Sequence, residues 1–251
     1  MSNYIINTNT NQLTFLDGRF YRTESGQFVP SVTTILEAYP KPYAYYQWLK
    51  ENGNDSDRIR NEAGERGSTV HKLTERYDAG EEIELMNELG YIGYKLEEWE
   101  MLNRYVEFIE RFDPGIILSE QNFISDMLGY AGTIDRIMLI EGKTYLVDIK
   151  TSNAIYDSYW LQLSAYHKLY CTEFEHYHFD GIAILWLNAK TRTEGKKGDI
   201  QGKGWQLIIK DEWSEELDLF NHTHKLWLAQ NKNYIPKQTS YKLKIKKSCQ
   251  Q

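Results

Sequence analysis

Cysteine is scarce in this sequence. Only Cys171 and Cys249 occur among 251 residues, and they lie far apart along the chain. Two such cysteines can build neither a disulfide framework nor a four-cysteine zinc or iron–sulfur site. We therefore expect a protein of a reducing compartment.

Long hydrophobic runs and an excess of basic residues are lacking as well. The longest apolar runs, such as 181–187, fall short of the roughly 18 to 20 residues that cross a membrane. No basic segment followed by an apolar one opens the chain, so we expect a soluble, unexported, cytoplasmic protein. The formal charge of −7 does not by itself indicate nucleic-acid binding. A global sum hides local fields, however, and clustered carboxylates that bind cations would themselves lower it.

Internal repeats, low-complexity tracts and Pro/Gly/Ser linkers are also missing from the sequence. This favours a single domain over residues 1–251. Within it we distinguish an N-terminal hairpin and helical part (1–112), a core (113–189), and a C-terminal strand, helix and basic tail (190–251). Aromatic residues reach 14%, which suits a thick core and would also suit stacking on bases.

Hydrophobic periodicity predicts the order of the elements. Asp17-Gly18 predicts a hairpin turn, and Ser31 is placed to cap a short helix. Further helices are expected at 43–52, 57–79 (whole or broken), 92–112, 156–172 and 213–230, and strands at 116–124, 130–140, 144–150, 181–189 and 204–210. The fold class is thus α/β, of the mixed α+β kind: a central mixed sheet flanked by helices.

Two of these strands each carry an acid where a core residue is expected. In GTIDRIMLIEGKTYLVDIKTS, a two-residue turn at Glu141-Gly142 would place Asp135 directly opposite Asp148. A turn at Gly142-Lys143 would make them diagonal neighbours. Either register puts both carboxylates on one face with Cβ atoms about 5 to 8 Å apart. Only a three-residue loop without a bulge would separate them.

Two acids on an apolar face repel each other and lose hydration. On that face we expect Ile137, Leu139 and Leu146, and on the other Ile134, Met138, Tyr145, Val147 and Ile149. Either a cation lies between the acids or one carboxyl stays protonated. Lys150 is one candidate cation and a hard divalent ion such as Mg²⁺ is another. A carboxylate–lysine network at an open sheet rim remains the alternative that needs no metal.

A set of motifs accompanies the two acids along about 140 residues: PSVTTIL (30–36), RGSTVHKLTE (66–75), SEQ (119–121), GTID (132–135), VDIKTS (147–152) and QLSAYH (162–167). In this order and spacing the chain resembles the PD-(D/E)XK nuclease superfamily, and within it the RecB-like branch of phage exonucleases and the mitochondrial genome maintenance exonuclease. The resemblance implies a restriction-endonuclease-like core and a Mg²⁺- or Mn²⁺-dependent deoxyribonuclease. Without a cysteine cluster, the iron–sulfur subgroup of that branch is excluded.

The resemblance also implies roles for individual residues. Asp135, Asp148, His71 and the carbonyl of Ile149 would bind the metal, and Lys150 would hold the attacking water or the scissile phosphate. Gln162 and Tyr166 would orient that lysine or contact the phosphate. Glu120 and Glu75 rank lower, as supports of the site, and a purely structural role for Glu120 stays open.

The resemblance implies an exonuclease that acts on DNA with a free end and prefers single strands. The alternatives are a duplex exonuclease of phage recombination with a strand-annealing partner, and a catalytically silent DNA-binding module. A bacterial or phage-infected cell would be its setting. A glycine-rich segment at 190–205 adds basic residues that could grip phosphates: Lys190, Arg192, Lys196 and Lys197.

Overall fold

The computed structural model describes residues 12–14, 19–189 and 199–232. Within them the strands are β1 (Gln12–Thr14), β2 (Arg19–Arg22), β3 (Phe28–Pro30), β4 (Gly115–Ser125), β5 (Tyr130–Ile140), β6 (Lys143–Lys150), β7 (Gly181–Trp186), β8 (Asp199–Gln201) and β9 (Gln206–Lys210). The helices are α1 (Val32–Ile35), continued by a 3₁₀ turn (Leu36–Ala38), α2 (Tyr43–Asn52), α3 (Asp55–Asp78), α4 (Leu96–Phe112), α5 (Asp157–Glu173) and α6 (Ser214–Gln230). None of these helices is long and apolar enough to cross a bilayer.

The centre of the fold is a six-stranded mixed sheet in the order β4-β5-β6-β7-β9-β8. Strand β6 pairs with β7 in parallel, after the crossover through α5, and the other neighbouring pairs are antiparallel. Strands β1 to β3 form a small separate sheet. The predicted class, a mixed sheet flanked by helices with the organisation of a restriction-endonuclease-like core, is confirmed.

Hydrophobic clusters cover both faces of the large sheet. On one face α1, α5 and α6 pack over Ile137, Leu146 and Ile184. On the other, α3 and α4 contribute Val70 and Phe108, which pack with residues such as Met138 and Val147. The sheet is therefore a middle layer, and any polar group inside it is shielded from water on two sides.

Local sequence signals explain the helix boundaries that lead to the site. Ser31 caps α1 by accepting a hydrogen bond from the backbone N–H of Thr34 at 3.0 Å. Helix α2 ends at Gly53, whose φ of 51° suits a residue without Cβ. The segment predicted as one helix or a broken pair is the single 24-residue helix α3. Strands β1 and β2 pair as a hairpin, but the turn at Asp17-Gly18 lies outside the described residues.

The β5–β6 hairpin has the first of the two predicted registers, the one with its turn at Glu141-Gly142. Ile140 pairs with Lys143 and Arg136 with Val147, so the turn is Glu141-Gly142. Both turn residues have positive φ, 50° and 78°, as the type I′ turn of a twisted hairpin requires. The pairing stops at Arg136 and Val147, one residue short of Asp135 and Asp148.

One predicted side-chain direction is wrong. Ile134 was expected on the face of Met138 and Val147, but it packs in the other cluster, with Ile137 and Leu146. Residues three apart cannot share a face of a regular strand. The alternation of β5 is therefore interrupted between Ile134 and Ile137, where Asp135 lies.

Candidate active site

The site lies where β5 and β6 diverge. Their pairing ends at Arg136 and Val147; before Arg136, β5 pairs with β4, while Asp148 to Lys150 continue alongside β7. The side chain of Asp135 lies in the gap, where its Oδ2 accepts the backbone N–H of Ile149 at 3.0 Å. Where the strands diverge, the backbone N–H of Ile149 no longer has a partner on β5. The carboxylate of Asp135 accepts its hydrogen bond instead.

His71, Glu120 and Asp135 form a compact group of donor atoms at this point. One ligand atom of each lies within 4.8 Å of the others. Nδ1 of His71 is 3.2 Å from Glu120 Oε1 and 3.5 Å from Asp135 Oδ2. Nε2 of the same ring lies 3.0 Å from the carbonyl oxygen of Ile149. Helix α3 and strands β4, β5 and β6 thus each supply one group.

Glu120 reaches this group through an unusual backbone conformation. Its φ is 45°, in the left-handed region that residues other than glycine rarely occupy. Its neighbours Ser119 and Gln121 pair with Arg136 and Ile134, whereas Glu120 lies at a gap in the pairing. This local irregularity redirects a side chain that strand alternation alone would not have placed.

The charges around His71 favour a cation. Burial lowers the pKa of His71, but the neighbouring carboxylates of Asp135 and Glu120 outweigh it and raise that pKa to about 9. Both ring nitrogens face oxygen acceptors, so without a metal both carry protons. A metal ion that binds the ring must displace one of these protons. The same two carboxylates stabilise the positive charge of either the protonated ring or the metal ion.

The donor set fits a hard or borderline divalent ion. The separations of 3.2 and 3.5 Å from Nδ1 of His71 to the carboxylates of Glu120 and Asp135 are close to the roughly 3 Å between adjacent ligands of an octahedral ion with bonds of about 2.1 Å. Carboxylate and carbonyl oxygens suit Mg²⁺, and the imidazole makes Mn²⁺ at least as suitable. Among the described residues, the buried Oδ1 of Asp148 has no hydrogen-bond partner, and Oδ2 has only the ammonium of Lys150. An ion would satisfy such oxygens.

Asp148 itself is engaged with Lys150. The two charges lie 2.5 Å apart (Nζ to Oδ2), with Asp148 almost fully buried. Burial, reinforced by repulsion from Asp135, raises the pKa of Asp148 although Lys150 opposes the shift. Burial also acts to lower the pKa of Lys150, but Asp148 and Asp135 together outweigh it, so that pKa is raised and the lysine stays charged. Asp148 is not part of the three-residue donor group.

A chain of contacts fixes Lys150 from the side of α5. Its Nζ donates to Gln162 Oε1 at 3.0 Å, and Gln162 Nε2 donates to the hydroxyl of Tyr166 at 2.8 Å. The ring of Tyr159 lies under the ammonium at 4.4 Å, a cation–π distance. The lysine is therefore held by an acid, an amide and an aromatic face.

The close approach of α5 to β5 depends on Gly132. A Cβ at this position would lie 2.3 Å from Cε1 of Tyr166, which is far inside van der Waals contact. The glycine of the GTID motif thus makes room for the ring that supports Gln162.

The remaining predicted site residues lie apart or cannot be placed. Glu75, although one helical turn from His71, is exposed, and its carboxylate is not in the donor group. The basic residues expected to contact DNA lie outside the described residues: Lys190, Arg192, Lys196 and Lys197.

Sequence reasoning missed two residues at the site, Arg136 and Tyr159. Arg136 is completely buried beside Glu120. A charged residue inside an apolar strand was a signal that could have drawn attention to it. Tyr159 had no such signal, because its contact with Lys150 depends on how α5 lies over the sheet.

Comparison with known proteins identifies no family. No protein-family model and no curated protein matches the chain. Among solved structures, the chain is similar to a provisionally assigned exonuclease from Eubacterium rectale, with 14% identity over 80% of this chain and 78% of that one and a TM-score of 0.43. It is also similar to the protein SSO0001, with 17% identity over 52% of this chain and 59% of that one and a TM-score of 0.27.

Proposed function

We propose that this protein is a metal-dependent nuclease that hydrolyses phosphodiester bonds in DNA. The observation that carries the proposal is the close group of His71, Glu120 and Asp135 at the sheet divergence, next to a Lys150 held by Asp148 and Gln162. Such an arrangement places acids and a fixed cation where an anionic substrate and water could meet.

His71, Asp135, the carbonyl of Ile149 and Asp148 would hold Mg²⁺ or Mn²⁺, with Glu120 as a further donor. When bound, the ion would acidify a water molecule and neutralise charge on the phosphate. Lys150 would contribute a second positive charge, directed at the scissile phosphate or at the attacking water. Gln162 would keep its ammonium in place during the reaction.

We extend the proposal to an exonuclease that prefers single-stranded DNA. Helix α2 supports the strand preference because it has no buried residue and exposes Tyr43 (77%) and Tyr46 (50%). Tyr45 on the same helix accepts a hydrogen bond from Arg60, on α3. Arg60 precedes His71 by eleven residues, about 16 Å along a helix. Exposed rings on a helix that contacts α3 at Arg60 would be available to stack on the bases of a strand that enters the site.

The test is cleavage of end-labelled single-stranded, duplex and circular DNA with Mg²⁺, Mn²⁺ or EDTA. We expect linear single strands to be consumed with either metal, EDTA to abolish cleavage, and circles to persist. Asp135→Ala and Lys150→Ala should each lower the rate at least about 100-fold. Lys143→Ala is the matched control, because Lys143 is exposed at the far end of the same strand.

Three outcomes would contradict the proposal or part of it. Equal cleavage by wild type and both site variants would indicate a contaminating nuclease and refute the site. Faster digestion of a duplex would replace the single-strand preference by the duplex alternative. Tight DNA binding without cleavage under every metal condition would indicate a silent binding module.

A further inference from the structure

Arg136 is the one completely buried charged side chain among the described residues. Removing a guanidinium from water costs several kcal/mol unless its donors are paired. Here Nε donates to Asp78 Oδ2 at 2.8 Å and Nη1 donates to the carbonyl of Asp135 at 2.7 Å. Longer contacts run from Nη1 to Glu120 Oε1 (3.4 Å) and from Nη2 to Thr74 Oγ1 (3.3 Å).

These contacts connect Arg136 with both acids of the donor group, with Glu120 through its carboxylate and with Asp135 through its backbone carbonyl. Glu120 Oε1 lies between Nη1 of Arg136 and Nδ1 of His71, so its position is fixed from two sides. The Asp135 carbonyl is fixed on the same nitrogen, next to the interruption of β5. A planar guanidinium can hold several acceptors in fixed directions, which a lysine cannot do.

The anchor of Arg136 is on the helix that carries His71. Asp78 lies at the end of α3, and the hydroxyl of Tyr105 donates to its two oxygens at 2.8 and 2.9 Å. The network therefore connects α3 and α4 with the two strands that supply Glu120 and Asp135. Movement of any of these elements would change the spacing of the donor atoms.

The charge balance points the same way. Four carboxylates meet here (Asp78, Glu120, Asp135 and Asp148), and Arg136 and Lys150 offset two of them. Once a metal ion has displaced the extra proton of His71, the side chains leave two negative charges, the charge that one divalent ion compensates. Without Arg136 three would remain, and the acids would repel one another more strongly.

We propose that Arg136 is a positioning residue, which holds Glu120 and Asp135 at the separation that a divalent ion requires and is itself anchored by Asp78 and Tyr105. This inference rests on the proposed function, in that it assigns the donor group to a metal. An outer partner of metal ligands typically changes metal affinity 10- to 100-fold when removed.

The test is a calorimetric Mn²⁺ titration of the metal-free protein without DNA. We expect Arg136→Met to raise the dissociation constant at least about tenfold. Arg136→Lys keeps the charge but cannot bridge the same acceptors, so it should also weaken Mn²⁺ binding if the methionine variant fails to fold. Arg104→Met is the matched control: Arg104 is partly buried, donates to the Leu187 carbonyl and contacts Glu100 but no proposed ligand.

A second readout separates positioning from mere stabilisation. In cleavage assays the Mn²⁺ concentration for half-maximal rate should rise for the Arg136 variants, while KM for DNA at saturating Mn²⁺ stays near the wild-type value. Circular dichroism confirms that the variants compared are folded.

The outcomes distinguish this inference from the proposed function. Folded Arg136 variants that bind Mn²⁺ within twofold of wild type would overturn the positioning role, even if wild type cleaves DNA. A wild type that binds Mn²⁺ but cleaves no DNA would refute the nuclease and leave the positioning role supported by the variants. A wild type that takes up no Mn²⁺ would overturn both.

Discussion

Gly132→Ala is the substitution whose effect follows most directly from the geometry. The new Cβ would lie 2.3 Å from Cε1 and 2.9 Å from Cδ1 of Tyr166. Carbon atoms pack at about 3.5 to 4.0 Å, so the ring must retreat by about 1 Å or more. Tyr166 is 3% exposed and sits on α5 within a packed cluster, so a free swing into solvent is not available.

The expected cost in stability has two parts. Overpacking of a core typically destabilises a protein by about 1 to 3 kcal/mol. Replacing glycine in a strand returns about 0.5 to 1 kcal/mol, because the unfolded chain loses conformational freedom. We therefore expect a net loss of up to about 2.5 kcal/mol, measured by urea unfolding.

Gly132→Ala should also lower the rate of DNA cleavage, and this effect should be larger than the loss in the free energy of unfolding. When the Tyr166 ring moves, its hydroxyl leaves Gln162, and Gln162 no longer fixes Lys150. A misplacement of about 1 Å can cost about 100-fold in rate. We expect a loss of this order in kcat with KM for DNA nearly unchanged.

Two further variants make the test specific. Gly64→Ala, on α3 with nothing within 4 Å of the added Cβ, should be neutral or stabilising by up to about 1 kcal/mol and fully active. Combining Gly132→Ala with Tyr166→Ala should cost less stability than the two single changes added together. The reasoning is refuted if Gly132→Ala behaves like Gly64→Ala in both stability and cleavage.

Three other predictions concern protonation, metal and lysine. Burial lowers the pKa of His167 to about 4, so folding favours its neutral form. Its stabilising contribution is complete above about pH 6.5 and is lost as pH falls towards 4. Between pH 7 and 4.5, the free energy of unfolding should fall by about 2 kcal/mol less in His167→Phe than in the wild type. The same fall in both proteins, measured by urea unfolding at the two pH values, would contradict this. Mn²⁺ at 100 times its dissociation constant should stabilise the protein by about 2.7 kcal/mol, and Asp135→Asn should remove most of that gain in a thermal melt; an equal gain in both proteins would argue against a site at Asp135. Tyr159→Leu removes the aromatic face under Lys150, a contact of about 0.5 to 2 kcal/mol, so kcat should fall about 3- to 30-fold, and an unchanged kcat would show that the contact has no role.

The sequence predicted the hairpin well because two local rules coincide there. Glu141-Gly142 can adopt the two positive φ angles of a type I′ turn, and once that turn is fixed the register runs to Arg136 and Val147, the residues adjacent to Asp135 and Asp148. Lys150, Gln162 and Tyr166 were grouped by motif order and helical spacing, and the structure brings all three into contact. Their catalytic roles remain predictions.

Other features of the site depend on irregular backbone or tertiary packing. The direction of the Glu120 side chain could not be predicted from strand alternation, because the left-handed φ of Glu120 breaks that alternation. The predicted face of Ile134 was wrong because the alternation of β5 is interrupted at Asp135. Arg136 was overlooked because its partner Asp78 comes from α3, far away in the sequence. The short strand β8 lacks the apolar alternation that marks the other core strands.

The most direct measurement of the central claim is an anomalous difference map from crystals soaked in Mn²⁺. We expect a single strong peak at the divergence of β5 and β6, about 2.1 to 2.3 Å from an oxygen or nitrogen of each proposed ligand: His71, Glu120, Asp135, Asp148 and the Ile149 carbonyl. A map with no peak there at saturating Mn²⁺, or with the ion bound elsewhere and the two aspartates turned apart, would contradict the claim.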